Sequence, residues 1–400
     1  MSDGLTIRPL GELCEVLGGG TPPKDKAEYY GGHIRWATVR DMHSEVISET
    51  EFRITDAAVA ACATNVIPAG NVVIATRVGL GKVCLLDEPT AINQDLRGII
   101  PRDLQQLSVK YLYWWLRSVA HRIEAEGTGA TVQGVKLPFV KSLGLPLRPV
   151  AEQHRIVAIL DQAFDAIATA QANAESNLRH TRELGDCELE SLFEAGAARW
   201  PEQSLQQVAH IINGYAFKST DFQAKAGVRS IKITNVGVRE FVADSANFLP
   251  FTLADRHAGV AVAQGSIVMA LTRTLIAAGL KVAVVPAEFD GALLNQRVAA
   301  IQPHCGQLEP AFLMAYLSTR RVTDYVKARV NTLMQPNLSI ADLRALPIPL
   351  PALAEQRSAL AKLLRLGEQT QRLESINRRK LAALDELKKS LLQQAFSGAL

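Results

Sequence analysis

The feature that most limits what this chain can fold into is an internal duplication. Leu145-Pro146-Leu147, Pro149 and Glu152-Gln153-His154-Arg155-Ile156 lead into a long helical stretch; about 203 residues later Ile348-Pro349-Leu350, Pro351 and Glu355-Gln356-Arg357 lead into another. A repeat of that length implies two globular halves, each closed by one long helix, in a pseudo-two-fold arrangement. Such a molecule suits holding two different things apart better than it suits one catalytic pocket. Length agrees, because 400 residues exceed one ordinary core.

The halves also correspond internally. The turn Val66-Ile67-Pro68-Ala69-Gly70 with its following run Asn71-Val72-Val73-Ile74-Ala75 returns as 260–264, Gly265-Ser266 and Ile267-Val268-Met269-Ala270. Asn93-Gln94-Asp95 returns as Asn295-Gln296-Arg297, and the helix Tyr111-Leu112-Tyr113-Trp114-Trp115-Leu116 as Phe312-Leu313-Met314-Ala315-Tyr316-Leu317. The offset grows from about 195 to 203, as insertions in surface loops produce. Short β-type runs at 33–39, 71–76 and 83–86 alternate with turn residues, so each half reads as α+β. The expected division is 1–150 and 199–350 for the globular halves, 151–198 and 351–400 for the helices.

Leu363, Leu366, Leu373, Leu384, Leu387 and Leu391 fall on one heptad frame, interrupted by Thr370, Asn377 and Lys380. Leu160, Ala163, Ile167, Ala170 and Ala174 hold a second frame that slips before Leu184, Leu189 and Leu192. Segment 151–200 carries 4 basic and 9 acidic side chains, and 351–400 carries 9 and 5. Opposite net charge favours pairing of the two helices with each other, antiparallel as chain order prefers, in a coiled coil that spaces the halves. The competing arrangement lays each helix on its own half.

Residues 1–150 are neutral, with 16 basic and 16 acidic side chains, and 201–350 carry 14 and 10. Neither half is basic enough to bind nucleic acid by charge alone, so contact with DNA would rest on local patches and be weak and salt-sensitive without partners. The five cysteines are scattered with no CxxC, which points away from a disulfide framework or zinc ribbon and towards a reducing cytoplasm. Neither a signal peptide nor a run of about 20 apolar residues is present, so no membrane is expected.

Leu10-Gly11-Glu12-Leu13 followed by Gly18-Gly19-Gly20-Thr21-Pro22-Pro23 resembles the opening of a target recognition domain in specificity (S) subunits of type I restriction–modification systems. The series continues with Ile34-Arg35-Trp36-Ala37-Thr38, Arg40-Asp41, Ile67-Pro68-Ala69-Gly70, Thr76-Arg77-Val78-Gly79, Asn93-Gln94 and the pre-helix motif. The second half keeps the frame but has Asn213-Gly214-Tyr215-Ala216-Phe217 at the glycine loop. The resemblance spans nearly the whole chain and implies a non-catalytic subunit. Its two target recognition domains would each read half of a bipartite double-stranded DNA site. Its helices would set the gap and dock two methyltransferase subunits. It implies no cofactor in this chain: S-adenosylmethionine, ATP and magnesium would serve the methyltransferase and the restriction (motor) subunits.

The chemistry within the chain agrees. The Asn/Asp-Pro-Pro-Tyr/Phe string of amino-methyltransferases is missing, Gly79-Leu80-Gly81-Lys82 lacks the Ser/Thr that a phosphate loop requires, and no metal-ligand spacing occurs. Phosphate contacts position a reader and base-edge contacts specify, with Arg suited to guanine and Asn or Gln to adenine. On that basis the first-half candidates are Thr21, Lys24, Thr38, Arg40, Asp41, Arg77, Lys82, Gln133 and Lys136. Those of the second half are Tyr215, Lys218, Lys232, Thr234, Asn235, Thr272, Arg273, Asn331, Gln335 and Asn337. A solvated turn is the competing reading of each. Asn93-Gln94 and Asn295-Gln296 read as turn formers bonding backbone, and Trp36, Trp114 and Trp115 as core.

The loops Thr38-Val39-Arg40-Asp41 and Thr234-Asn235-Val236-Gly237 differ strongly, so the expected target is asymmetric. Two other classes compete: the recognition part of a self-sufficient restriction–modification enzyme (or a nucleotide-binding protein using 79–82), and a coiled-coil adaptor that binds only proteins.

Overall fold

The computed structural model describes residues 6–127, 134–223, 226–330 and 337–399. The chain forms two compact units, Met1–Ser176 with Asn377–Leu400, and Asn177–Ile376.

The first unit holds two sheets. One orders Cys14–Gly18, Leu96–Pro101, Val72–Ala75, Val83–Leu86 and Val46–Ile47; the other orders Phe52–Ile54, Tyr30–Ala37, Thr90–Ile92 and Val66–Ile67. Val72–Ala75 is apolar at every position because both its faces are covered. Val72 and Ile74 pack towards the helix Val109–Ser118, with Tyr111, Trp114 and Trp115, while Val73 and Ala75 pack with Ile67, Cys84 and Ile92. Trp36 is also buried.

The second unit repeats this plan. Ala209–Asn213, Val298–Pro303, Ile267–Ala270 and Val282–Val284 make one sheet; Phe248–Leu249, Val228–Ile231, Ala292–Leu294 and Ala261–Val262 make the other. The parallel pair of strands in each second sheet supplies the register between repeats. Ala37 lies opposite Ile92, and Ile231 opposite Leu294. The next residue then bonds back in both: Asn93 N–H to Ala37 O at 3.0 Å, and Asn295 N–H to Ile231 O at 2.9 Å.

The long helices are Val150–Ala197 and Leu353–Ser397, 48 and 45 residues. Neither serves one half only. In the first unit Ile156, Leu160 and Phe164 of the first helix share a core with Ala395 of the second, and Gln171 bonds Asp385 (2.7 Å) and Lys388 (2.5 Å). In the second unit Leu189 and Phe193 share a core with Ala359, and Arg182 stands 3.6 Å from Glu374. The pairing is antiparallel, as expected. The heptad frame needs one correction. Leu373 and Leu387 are 45% and 44% exposed, while Glu374 and Lys388, one place on, are partly buried beside Thr370, Asn377 and Leu391. A helix of 3.6 residues per turn outruns a strict 3.5 repeat, so the buried stripe steps forward. Leu184, after the expected slip in the first helix, is exposed. Among the described residues no helix is long and apolar enough to cross a membrane.

Candidate nucleic-acid interface

In each unit the glycine loop meets the Asn-Gln turn at contact too close for a side chain. A Cβ on Gly19 would lie 2.0 Å from Asn93 O, and one on Gly214 would lie 2.0 Å from Asn295 O. Gly20 N–H then bonds Ile92 O (3.0 Å), as Tyr215 N–H bonds Leu294 O (2.9 Å). Gly20-Thr21 therefore corresponds to Tyr215-Ala216.

A short 3₁₀ turn follows the parallel strand: Val39–Asp41 in one unit, Ile233–Asn235 in the other. Asp41 accepts from Thr38 N (2.7 Å), Thr38 Oγ1 (2.9 Å) and Glu51 N (2.8 Å). Asn235 accepts from Lys232 N (2.8 Å) and donates to Val242 O (2.8 Å). The true counterpart of Thr38-Val39-Arg40-Asp41 is thus Lys232-Ile233-Thr234-Asn235, two residues before the segment the sequence suggested. The offset is 194 at this turn and 195 on either side of it, so the misplacement came from loops too unlike each other to align by residue type. Asp41 and Asn235, expected among DNA contacts, are buried and hold the turn instead. Lys232 is likewise occupied: Nζ lies 3.6 Å over the Phe222 ring and bonds Asn247 Oδ1, and burial lowers its pKa more than Asp244 raises it. Arg40 and Thr234 project from the same turns and are exposed.

The third loop leaves the central strand. Thr76 N–H bonds Asp95 O and Leu271 N–H bonds Arg297 O, both at 2.8 Å, so Arg77 corresponds to Thr272 and Val78 to Arg273. Both members of the latter pair adopt positive φ, 31° and 50°. Gly79-Leu80-Gly81-Lys82 is the turn between Val72–Ala75 and Val83–Leu86, not a phosphate loop before a helix. Lys82 Nζ reaches Val39 O at 3.5 Å, and Lys281, unremarked in the sequence, makes the equivalent bond to Ile233 O at 2.7 Å. Burial, then the charge of Arg273, lowers the Lys281 pKa. Both lysines tie loop to turn. Aligning Val83 with Val282 would have revealed the pair.

In the first unit these loops enclose a cleft of about 610 Å³ lined by Thr21, Lys24, Tyr30, Trp36, Thr38, Val39, Arg40, Phe52, Val78, Asn93, Gln94 and Asp95. Arg77 lies at 3.6 Å from Asp95, and exposed Lys136 directly precedes the helix Leu137–Ser142 with no side-chain capping bond. In the second unit the exposed Tyr215 ring stacks on His257, centroids 4.0 Å apart, with Phe217 edge-on at 5.1 Å. Thr272 bridges to the exposed Asn337, and Lys218 is exposed, its backbone N–H bonding Asp221. Gln133, Asn331 and Gln335 lie outside the described residues. Sequence reading missed His257 because a histidine directly after a short helix carries no pattern of its own.

Two copies of one frame with unlike exposed side chains define a duplicated module. A family model described as the type I restriction modification DNA specificity domain matches residues 3–176 and 198–381, and the chain belongs to that family. It is 35% identical over 170 residues, 41% of each chain, to the Type I restriction enzyme EcoR124I/EcoR124II specificity subunit of Escherichia coli. With the MjaVIII specificity subunit of Methanocaldococcus jannaschii it shares 24% over 339 residues, 81% of this chain and 76% of that one. The matches to the EcoR124I/EcoR124II and MjaIX subunits thus span only 41% and 40% of those relatives. Its fold is similar to the HsdS subunit from Thermoanaerobacter tengcongensis, with TM-score 0.62, 19% identity, and 100% and 98% coverage. A chain from a structure of type I R-M system assembly and conformational transition aligns with TM-score 0.74 and 19% identity over 100% and 99%.

Proposed function

We propose that this chain is the DNA sequence-recognition subunit of a type I restriction–modification complex, reading a two-part, asymmetric double-stranded target with one unit per part. One observation carries this reading: at matched positions the buried frame is kept while the exposed side chain changes. Arg40 stands against Thr234, Gly20-Thr21 against Tyr215-Ala216, and Val78 against Arg273. A frame that fixes loops and leaves their tips free to differ is what separate readers of separate words require. The set assigned to base or phosphate contact, exposed but for half-buried Arg77 and Thr272, is Thr21, Lys24, Arg40, Arg77 and Lys136 in the first unit. In the second it is Tyr215, Lys218, Thr234, Thr272, Arg273 and Asn337.

On this reading the chain contributes recognition and no chemistry. Two methyltransferase subunits dock on it in the cytoplasm and use S-adenosylmethionine; restriction subunits use ATP and magnesium. The adaptor alternative leaves the divergent loop tips without a role. The test is adenine methylation across a genome in cells expressing this chain with its cognate methyltransferase subunit. A two-part motif with an unread gap, lost when this chain is omitted, supports the proposal. A single continuous word, or no new methylation from a stable complex, refutes it.

A further inference from the structure

The Asn-Gln turn of the first unit splits into two roles. Asn93 is buried and ties the turn together, its Nδ2 donating to Asp95 Oδ2 (3.0 Å) and its Oδ1 accepting from Asp95 N–H (3.1 Å). Gln94 is exposed, and Arg97 Nη1 clamps its backbone oxygen at 3.0 Å. Its side chain is oriented as well: the Thr21 hydroxyl, from the glycine loop, donates to Gln94 Oε1 at the cleft. One lone pair of Oε1 remains, and Nε2 has no partner among the described residues.

We propose that Gln94 reads an adenine in the half-site taken by the first unit, with Thr21 as its positioning residue. The inference rests on the recognition function proposed above. A carboxamide offers one acceptor and one donor side by side, which matches the N6 amino group and N7 of adenine in the major groove. Guanine presents two acceptors there, and one would face Oε1. A solvated turn glutamine would not need a hydroxyl from another loop to set its rotamer. A clamped backbone and an oriented amide remove ordering cost before contact is made. The device is confined to one unit. Gln296 follows Asn295 in the second, but the place of Thr21 is taken there by Ala216, which has no hydroxyl. The two turns therefore do not read the same letter in the same way.

The experiment uses the complex of the full chain with its cognate methyltransferase subunit and maps methylated adenines genome-wide for wild type, Gln94→Ala, Gln94→Glu and Thr21→Val. Gln94→Ala is expected to lower the preference for adenine at one position of one part by about tenfold or more, leaving the other part and the gap unchanged. Gln94→Glu, the same size but acceptor only, moves that position towards cytosine, whose N4 donates. Thr21→Val relaxes the same position less. Unchanged letters in all three variants overturn the inference while the recognition reading stands. So does a uniform fall in methylation with unchanged letters, from complexes assembled to wild-type level. A wild-type complex that methylates no two-part motif overturns the recognition reading itself, and this inference with it.

Discussion

The carboxamide oxygen of Gln153 accepts the backbone N–H of Ser108 at 2.8 Å, tying the start of the first long helix to the start of the aromatic helix 45 residues earlier. Its Nε2 donates to Gln106 O (2.7 Å) and Arg148 O (2.8 Å), and the side chain is fully buried. Gln356 repeats all three bonds, with Glu309 N, Gln307 O and Pro351 O. The Glu-Gln motif that marks each repeat in the sequence is therefore a joint between helix and globular core.

Gln153→Ala should destabilise the first unit by about 3 kcal/mol, because one amide and two carbonyls lose their partner in a site closed to water. Gln356→Ala should cost the second unit a similar amount. Denaturant unfolding of each variant checks this. A change below about 0.5 kcal/mol, the level of ordinary surface substitutions, would mean that the joints are not structural.

Gly19→Ala and Gly214→Ala test the crossing of the glycine loop over the Asn-Gln turn. The added methyl would meet backbone oxygen at 2.0 Å in both, and backbone has no rotamer to give way. Each should lower stability by roughly 1–3 kcal/mol and displace the loop that carries Thr21 or Tyr215. Gly70→Ala is a weaker comparison: its Cβ would meet nothing within 4 Å, and only its φ of 75° opposes the change. Equal melting temperatures for Gly19→Ala and wild type would refute the crossing.

These residues also show what was legible in the chain. The duplication, the aromatic helices and the pre-helix motifs follow from local pattern, because Trp114, Trp115 and the paired glutamines occupy positions set by burial. The loop register did not. Whether Arg40 matches Thr234 or Val236 depends on which strand carbonyl Asn295 bonds, a contact between residues 64 apart in the chain. Lys82 read as a candidate DNA contact because its partner, Val39 O, is backbone and leaves no mark in the sequence. Gln94 looked structural because its neighbour Asn93 is; exposure and the Thr21 hydroxyl separate the two.

Alkaline pH should destabilise the protein through its buried tyrosines. Burial pushes Tyr111, Tyr113 and Tyr316 up to about 12 from an ordinary 10.0. Between those values the unfolded chain has already released the phenolic protons that the folded chain keeps. Stability from this source is thus intact below pH 10 and falls as pH rises towards 12. Unfolding midpoints measured from pH 8 to 12 check the sign. Tyr111→Phe, which loses the bond to Pro146 O, should start less stable but show a shallower alkaline fall. An alkaline fall as steep as that of wild type would remove Tyr111 from the account.

Arg40 and Asp41 are neighbours with opposite expected phenotypes. The Arg40 guanidinium is exposed and among the described residues meets only Glu51, at 3.3 Å, an ion pair of the kind that contributes little to stability. Asp41 accepts two backbone N–H groups and one hydroxyl while buried. Arg40→Ala should leave unfolding within about 0.5 kcal/mol of wild type and change the letters methylated by the complex. Asp41→Ala should cost roughly 2–4 kcal/mol, since charged acceptors are worth more than neutral ones and two amides are left bare. It should also weaken recognition of the first half-site across all sequences, because the turn that aims Arg40 is lost, with no new preference gained. Lys82→Ala should resemble Asp41→Ala in kind and be milder, its bond to Val39 O being one of the turn's several supports. The decisive comparison is methylated motif against unfolding midpoint in the same preparations. If Asp41→Ala redirected the letters at full stability, Asp41 would belong to the reading surface and the two residues would exchange roles.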